Sequence, residues 1–338
     1  MYKISLITGD GIGPELSESV INILDTINDK IGVKVQVTKL EAGDAALKKT
    51  GKALPDETLD TIKKSDACLK APVGESAADV IVVLRRLLDL YANIRPAKAY
   101  PNMPSLNQNT DMVIVRENTE DLYTGMEFDM GDTSIALRSI SKRASERIAN
   151  YAFITAEQRN KKKKVTCVHK SNVMRKTDGL FARTCEQVSK RYPNVAFENM
   201  YVDACAMNLI RQPEAFDVIV TTNLFGDILS DEASQVVGGL GMAPAANIGD
   251  NFALFEPVHG AAFDIAGKQI ANPSSFILSA KMMFEWLGTK NNDKSCSDIA
   301  KKMEDAVYGI VKDGIKTKDI GGNKSTKEFT QNVISRII

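Results

Sequence analysis

Short apolar, β-branched runs alternate along this chain with longer stretches whose apolar positions recur every three or four residues. Ile4 to Thr8, Val33 to Leu40 and Ala67 to Lys70 read as strands, and Pro14 to Asp29 and Pro55 to Lys64 read as the helices between them. Met112 to Arg116, Lys164 to His169 and Val218 to Thr222 are further candidate strands, each followed by a turn and helix-compatible sequence. Asp178 to Arg191, Asp227 to Val237 and Pro273 to Trp286 are candidate helices. This alternation predicts an α/β fold around a substantially parallel sheet. From Met126 to Ser139 the pattern changes, with β-formers on either side of Gly131-Asp132. A hairpin is predicted there, projecting from the body as a dimerisation arm.

Composition narrows the picture. At 338 residues and 43% hydrophobic content the chain can bury a large core, and a length of roughly 100 to 200 residues per domain predicts two domains. Lys+Arg and Asp+Glu are both 43, so no net field exists to hold a polyanion. The run Lys161 to Lys164 reads as a solvated loop rather than a nucleic-acid patch. Cys68, Cys167, Cys185, Cys205 and Cys296 are scattered, without C-x-x-C pairs or histidine clusters, which predicts buried thiols rather than a zinc site or disulfides. The N-terminal apolar run is too short for a signal peptide, and no segment approaches ~18 uninterrupted apolar residues. A soluble cytoplasmic protein is expected, with neither membrane nor nucleic acid as partner.

Several constellations could carry chemistry. Gly9-Asp10-Gly11-Ile12-Gly13-Pro14-Glu15 follows a strand and opens a helix, but its glycine spacing is not that of a dinucleotide fingerprint; it is either a turn at a cofactor's edge or a purely structural one. Asp227 and Asp231 stand at i and i+4, which places two carboxylates on one helix face, costly unless a cation lies between them. Oxygen-only ligation points to Mg²⁺ or Mn²⁺, with Asp203 as a possible third carboxylate; the alternative is a helix N-terminus whose acids favour its dipole. Arg85, Arg95 and Arg116 each adjoin an apolar segment, and converging guanidinium forks would bind a di- or tricarboxylate. Lys170, at the end of a strand, and Tyr123, after an acidic turn, are candidate acid/base groups.

The series of motifs, taken in order over essentially the whole chain, resembles the β-hydroxyacid oxidative decarboxylases, the isopropylmalate, isocitrate and homoisocitrate dehydrogenases. It includes Gly9 to Glu15, Leu90-Tyr91-Ala92-Asn93-Ile94-Arg95-Pro96, Val115-Arg116-Glu117-Asn118-Thr119-Glu120 and His169-Lys170-Ser171-Asn172-Val173. It continues through Asn223-Leu224-Phe225-Gly226-Asp227 to Asp231, Asn247-Ile248-Gly249-Asp250, and Glu256-Pro257-Val258-His259-Gly260 as far as Asn272-Pro273. The resemblance implies the isocitrate/isopropylmalate dehydrogenase-like fold, not a Rossmann fold. Two α/β domains would share a central sheet, residues 1–97 with 239–338 forming the cofactor side and 98–238 the substrate, metal and dimerisation side.

It also implies a site shared across a homodimer or a dimer of dimers. Arg85, Arg95 and Arg116 would hold substrate carboxylates; Asp227 and Asp231, with Asp203 donated by a partner subunit, would bind Mg²⁺ or Mn²⁺. Lys170, also from the partner, would take the hydroxyl proton and Tyr123 would return one. NAD would lie against Glu256, His259, Gly260, Asp264, Ile265 and Asn272, with Asn172 on its nicotinamide side. Asp264 suits free ribose hydroxyls and would repel a 2′-phosphate, which favours NAD over NADP. Phe263 departs from the proline that relatives often carry in this loop.

Substrate choice is expected to rest on Ile81 and Val82, which suit an isopropyl group. The stretch Asp79 to Val83 holds neither the serine-x-asparagine of isocitrate enzymes nor an extra arginine, whereas Glu117 to Glu120 has the form common in isocitrate and homoisocitrate enzymes. Archaeal isopropylmalate enzymes combine that form with a segment like Glu75 to Val80, so oxidative decarboxylation of 3-isopropylmalate, a leucine-biosynthesis step, is the expected reaction. Isocitrate and homoisocitrate remain the alternatives. A nucleic-acid binder and a catalytically dead assembly subunit are the competing classes; the second should have lost some of the acidic, arginine, lysine and tyrosine positions, and all are present.

Overall fold

A computed structural model describes residues 1–338. The chain begins β1 (Tyr2–Ile7), α1 (Gly13–Lys30), β2 (Val35–Leu40), α2 (Asp44–Thr50), α3 (Asp56–Lys63), β3 (Ala67–Lys70), α4 (Ala77–Leu87) and β4 (Ala92–Lys98). It continues β5 (Asp111–Glu117), the hairpin β6 (Glu127–Met130) and β7 (Thr133–Ala136), α5 (Lys142–Arg159), β8 (Lys164–His169), α6 (Thr177–Ser189), β9 (Ala196–Tyr201) and α7 (Val202–Arg211). Then come β10 (Val218–Thr221), α8 (Asn223–Val236), β11 (Pro244–Ile248), β12 (Ala253–Pro257), α9 (Ser274–Asn291), α10 (Lys294–Lys312) and α11 (Thr326–Ile337).

All strands except the hairpin join one ten-stranded sheet, ordered β2-β1-β3-β12-β11-β4-β5-β10-β8-β9. The expectation of a substantially parallel sheet holds on both flanks but not in the middle. There β12–β11, β11–β4 and β4–β5 pair antiparallel, so the two parallel flanks run in opposite directions. The reversal follows from chain connection: β11 and β12 are joined by a short turn, and β4 meets β5 after a loop with no helix in it, connections that only antiparallel neighbours allow.

Helices cover both faces, which is why the strands read as apolar runs. Alternate residues of β5 serve opposite sides. Val113 and Val115 join a large core with α1, α5, α6 and α9 to α11, while Met112 and Ile114 join a smaller one under α7 and α8. A third core, under α3 and α4, includes Ile7, Cys68 and Leu254 on that second face. The second face is therefore covered in two pieces, and the gap between α4 and α8 exposes the sheet's centre to a cleft.

The hairpin forms as its sequence predicts, with Gly131 at φ +61° in the turn, and the side chains of β6 and β7 are almost all exposed. All five cysteines are buried and free. No helix is long and apolar enough to cross a membrane.

Candidate active site

The two-residue period of the strands gathers polar side chains in that gap. Lys70 shares a face with Cys68, Arg95 with Asn93 and Ala97, Arg116 with Met112 and Ile114, and Glu256 with Leu254. With Arg85 from α4 and Asp227 from α8 they line a cleft of about 230 Å³.

Its floor is a polar network. Lys70 Nζ donates to Glu256 Oε2 at 2.8 Å, and Arg85 Nη2 to Glu256 Oε1 at 3.2 Å. Asn247 Nδ2 donates to Glu256 Oε1 at 2.8 Å, while Asn247 Oδ1 accepts from Arg85 Nε at 2.9 Å, Asn93 Nδ2 at 2.8 Å and Asn118 Nδ2 at 3.0 Å. Burial by itself would raise the Glu256 pKa, but Lys70 and Arg85 hold it down at about 2. The carboxylate is thus ionised, as a buried charge must be when its partners are cations.

Above this floor Arg95 and Arg116 meet the acids of α8. Arg116 Nη1 donates to Asp227 Oδ1 at 2.5 Å, and Arg95 reaches Asp227 Oδ1 at 3.3 Å and Asp231 Oδ1 at 3.2 Å. Asn93 and Ser230 orient the Arg95 fork, and Asn223 orients that of Arg116. Burial and then the like charge of Arg116 lower the Arg95 pKa to about 10, so the guanidinium remains charged at neutral pH. Against the raising effect of burial, Arg116 and Arg95 hold Asp227 below the usual carboxylate range; Asp231 is pushed up by burial and by the charge of Asp227, against Arg95. The Tyr123 hydroxyl donates to Asp227 Oδ2, and burial raises its pKa, so the phenol keeps its proton.

Gly226 makes this approach possible, since a Cβ there would stand 2.4 Å from Arg116 Cγ. Asp227 is the fifth residue of α8 and not its N-terminus, which removes the dipole account of the acidic pair. The two acids offer oxygen donors only, which suits a hard cation such as Mg²⁺ or Mn²⁺. No group of three His, Cys, Asp or Glu side chains converges within the chain, so any such ion must draw its remaining oxygens from substrate, water or another subunit.

Of the residues singled out from sequence, Arg85, Arg95, Arg116, Tyr123, Asp227, Ile81, Val82, Glu256, His259 and Gly260 line one cleft. Asp231 joins them through Arg95. Ile81 and Val82 form its apolar side with Val73, Ala77 and Ala78. Lys170 and Asp203 lie outside it, ion-paired with each other where β8 and β9 end, and Asn172 is exposed beside Lys170. Asp264 is exposed and Ile265 half-buried on the loop between β12 and α9. Asn272 is buried, donating to Asp319 Oδ2 at 3.0 Å and accepting from Ser274 N at 3.0 Å, which anchors that loop at the start of α9.

Sequence reasoning missed Lys70 and assigned no role to Asn93, Asn118 and Asn247. Lys70 left one signal: a charge as the last residue of a strand otherwise wholly apolar.

The glycine-rich turn proves to be a joint between loops. Gly9 and Gly11 have φ of +68° and +55°, and a Cβ on either would come within 2.0 Å of a carbonyl oxygen, Pro72 O and Ala261 O respectively. Ile12 N donates to Ala261 O at 2.8 Å, so the turn supports the loop carrying His259, Asp264 and Ile265.

Comparison with known proteins agrees with this architecture. The family described as isocitrate/isopropylmalate dehydrogenase matches residues 3–333. The 3-isopropylmalate dehydrogenase of Archaeoglobus fulgidus is 53% identical over 335 residues, 99% of each chain. The homoisocitrate dehydrogenase of Methanocaldococcus jannaschii is 44% identical over 354 aligned positions, covering 100% of this chain and 98% of that one. The crystal structure of isocitrate dehydrogenase from Methylococcus capsulatus superposes with a TM-score of 0.92 at 41% identity, over 100% of this chain and 99% of that one. With its fold, its motifs and its full length in agreement, the chain belongs to the isocitrate/isopropylmalate dehydrogenase family of oxidoreductases.

Proposed function

We propose that this protein catalyses the NAD-linked, divalent-metal-dependent oxidative decarboxylation of 3-isopropylmalate, a leucine-biosynthesis reaction. One observation carries the reading: three buried guanidiniums, from Arg85, Arg95 and Arg116, line the same cleft as the apolar group Val73, Ala77, Ala78, Ile81 and Val82, with Arg85 one helical turn beyond Ile81 on α4. Such a cleft matches a molecule with two carboxylates and one branched alkyl group. The Archaeoglobus fulgidus relative, 53% identical, is named 3-isopropylmalate dehydrogenase, which supports the choice of substrate.

On this reading the arginines bind both carboxylates, which draws Arg95 and Arg116 away from Asp227. Asp227 and Asp231, with the partner subunit's Asp203, would hold Mg²⁺ or Mn²⁺; the ion would polarise the oxygen at C2, and NAD would take the hydride. Lys170 of the partner subunit receives the hydroxyl proton, and Tyr123 gives a proton to the carbon that loses carbon dioxide. A shared site requires a homodimer, alone or as a dimer of dimers. In support, the apolar residues Met207 and Ile210 of α7, Ile228 of α8 and Val173 beside Lys170 are all more than half exposed, as are the hairpin's side chains for the most part. The antiparallel junction of β4 and β5 also supports the division into residues 1–97 with 239–338 and residues 98–238, with the cleft between them.

A second reading, homoisocitrate or isocitrate, is favoured by Lys70, a further buried cation in the cleft that could meet a third carboxylate. Against it, Glu256 holds Lys70 at 2.8 Å, closer than its 3.2 Å contact with Arg85, so Lys70 is the cation that the carboxylate occupies most. Steady-state kinetics with isopropylmalate, isocitrate, homoisocitrate and malate, each with NAD and NADP, test both. Isopropylmalate with NAD should give the highest kcat/KM, and excess chelator should abolish turnover. A preference for a tricarboxylate would overturn the first reading in favour of the second, and full turnover in chelator would remove the metal.

A further inference from the structure

One guanidinium outside the cleft joins the segments that carry Tyr123, Lys170 and the start of α8. Arg138 follows β7 at the base of the hairpin, and its side chain is largely buried. Its Nε donates to Asp121 Oδ1 at 2.5 Å, and its Nη2 to Asp121 Oδ2 at 3.2 Å and Thr222 Oγ1 at 2.8 Å. Its Nη1 pairs with Asp178 Oδ1, and the guanidinium lies 4.9 Å from the centre of the Phe225 ring.

The two carboxylates relay this hold. Both Asp121 and Asp178 are fully buried. Asp121 caps the 3-10 turn Leu122–Thr124, which carries Tyr123, accepting from Leu122 N at 2.9 Å; it also accepts from Leu224 N at 3.1 Å in the first turn of α8. Asp178 accepts from Lys170 N at 2.6 Å. Asp121 N donates to Ser139 O at 2.9 Å, which closes the base of the hairpin. Four segments distant in sequence thus meet on one side chain, whose planar fork satisfies two buried charges that no other cation reaches.

We propose that Arg138 is a positioning residue that fixes Tyr123, Lys170 and α8 relative to one another and ties all three to the hairpin. The proposal rests on the reading of Tyr123 and Lys170 as proton carriers. It touches none of Arg85, Arg95 and Arg116 itself and reaches Arg116 only through Asn223 in the first turn of α8, so its loss should act more on kcat than on KM.

The test compares full-length wild-type protein with Arg138→Met and Arg138→Lys. In Arg138→Met, kcat with isopropylmalate should fall about 10- to 100-fold, the scale set by displacing catalytic groups by an ångström, while KM changes less than about threefold. Backbone hydrogen exchange should quicken in residues 119–125, 169–178 and 221–228 and stay unchanged in β1 and β3. Arg138→Lys should recover part of both losses, because an ammonium still neutralises one carboxylate. An unchanged kcat, a rise in KM alone, or exchange that quickens evenly along the chain would overturn the proposal. Should Arg138→Met fail to fold, Arg138→Lys decides by the same two measurements. Hydrogen exchange needs no substrate: if wild-type protein turned over none of the four acids, the proposed function would fall, while the exchange pattern would still support or overturn the positioning role.

Discussion

A guanidinium that is 1% exposed persists only when its charge is paired, and Arg116 pairs with Asp227 while each of its three nitrogens donates to Asp227 or Asn223. The neighbouring residues follow the same logic, since each buried cation of the cleft has a carboxylate and each carboxylate has a polar neighbour to orient it. This logic was half legible in the sequence. A charged residue in an otherwise largely apolar strand must find a buried partner, as Arg95, Arg116 and Lys70 do; which partner it finds depends on strand order and register, such as β12 beside β3 bringing Glu256 to Lys70, which no local pattern encodes. The apolar side is the more exposed part of the reading, because it rests on small differences in shape. Replacing Val82 with arginine should lower kcat/KM for isopropylmalate roughly 5- to 150-fold, the equivalent of ~1 to 3 kcal/mol for a charge desolvated beside an alkyl group. The same guanidinium should raise turnover of isocitrate or homoisocitrate by meeting their third carboxylate. Competition kinetics on the purified variant would check both changes; a loss with all substrates alike would mean that Val82 only packs.

Among the elements, the loop from β12 to α9 is the one whose work was least visible in advance. It has no hydrophobic period to announce it, and its shape is held from outside, by Gly11 and Ile12 at one end and by Asn272 with Asp319 at the other. Asp10 extends the joint, its carboxylate accepting from Asp44 N at 2.8 Å, Ala45 N at 3.1 Å and Gly74 N at 3.1 Å. The ring of Phe263 rests against Gly74, so the residue that departs from the usual proline bridges this loop to the one before α4. Local period did not decide which helices the sequence announced: α9, apolar almost all round, is among them and α10, with its apolar stripe on one face, is not, while α8 begins four residues before the predicted Asp227, Gly226 being a helical glycine that makes room for Arg116. Asp264 sits exposed on the loop, and on the proposed function its charge would repel a 2′-phosphate. Changing Asp264→Lys together with Ile265→Tyr should therefore shift the ratio of kcat/KM for NAD over NADP toward NADP by at least about tenfold at low salt, and less at high salt. An unchanged ratio in the folded double variant would move phosphate discrimination to another part of the loop.

At the scale of the whole molecule, ion pairs tie the centre of the sheet to the helices that cover it. Glu304 of α10 accepts from Lys98 of β4 at 2.6 Å and pairs with Lys281 of α9 at 3.0 Å. Burial would raise its pKa, but Lys281 and Lys98 bring it down to about 2 from an ordinary value of 4.5, and Glu256 behaves likewise. Both folded values lie below the unfolded ones, so the unfolded chain binds more protons between pH 4.5 and about 2. Their stabilisation is present in full above that window and is lost as pH falls through it. Glu304→Gln should cost about 1 to 3 kcal/mol at pH 7 and progressively less toward pH 2.5, measured as the gap between urea midpoints; a gap independent of pH would show that the carboxylate's charge contributes nothing. The same scale holds the sharpest test of the shared site. Lys170 lies outside the cleft that contains Tyr123, with Val173 and Tyr201 exposed beside it, so the proposed chemistry needs two chains to complete one centre. Lys170→Met and Tyr123→Phe subunits, each nearly inactive alone, should regain activity when mixed and allowed to exchange. In a heterodimer one centre receives two altered residues and the other receives an intact Lys170 and an intact Tyr123. Random pairing makes half of all dimers heterodimers with one good centre each, so recovery should approach about a quarter of wild-type kcat per subunit pair. Mass spectrometry of the intact dimers would establish exchange; if it occurs and no activity returns, Lys170 and Tyr123 do not serve one centre from opposite subunits.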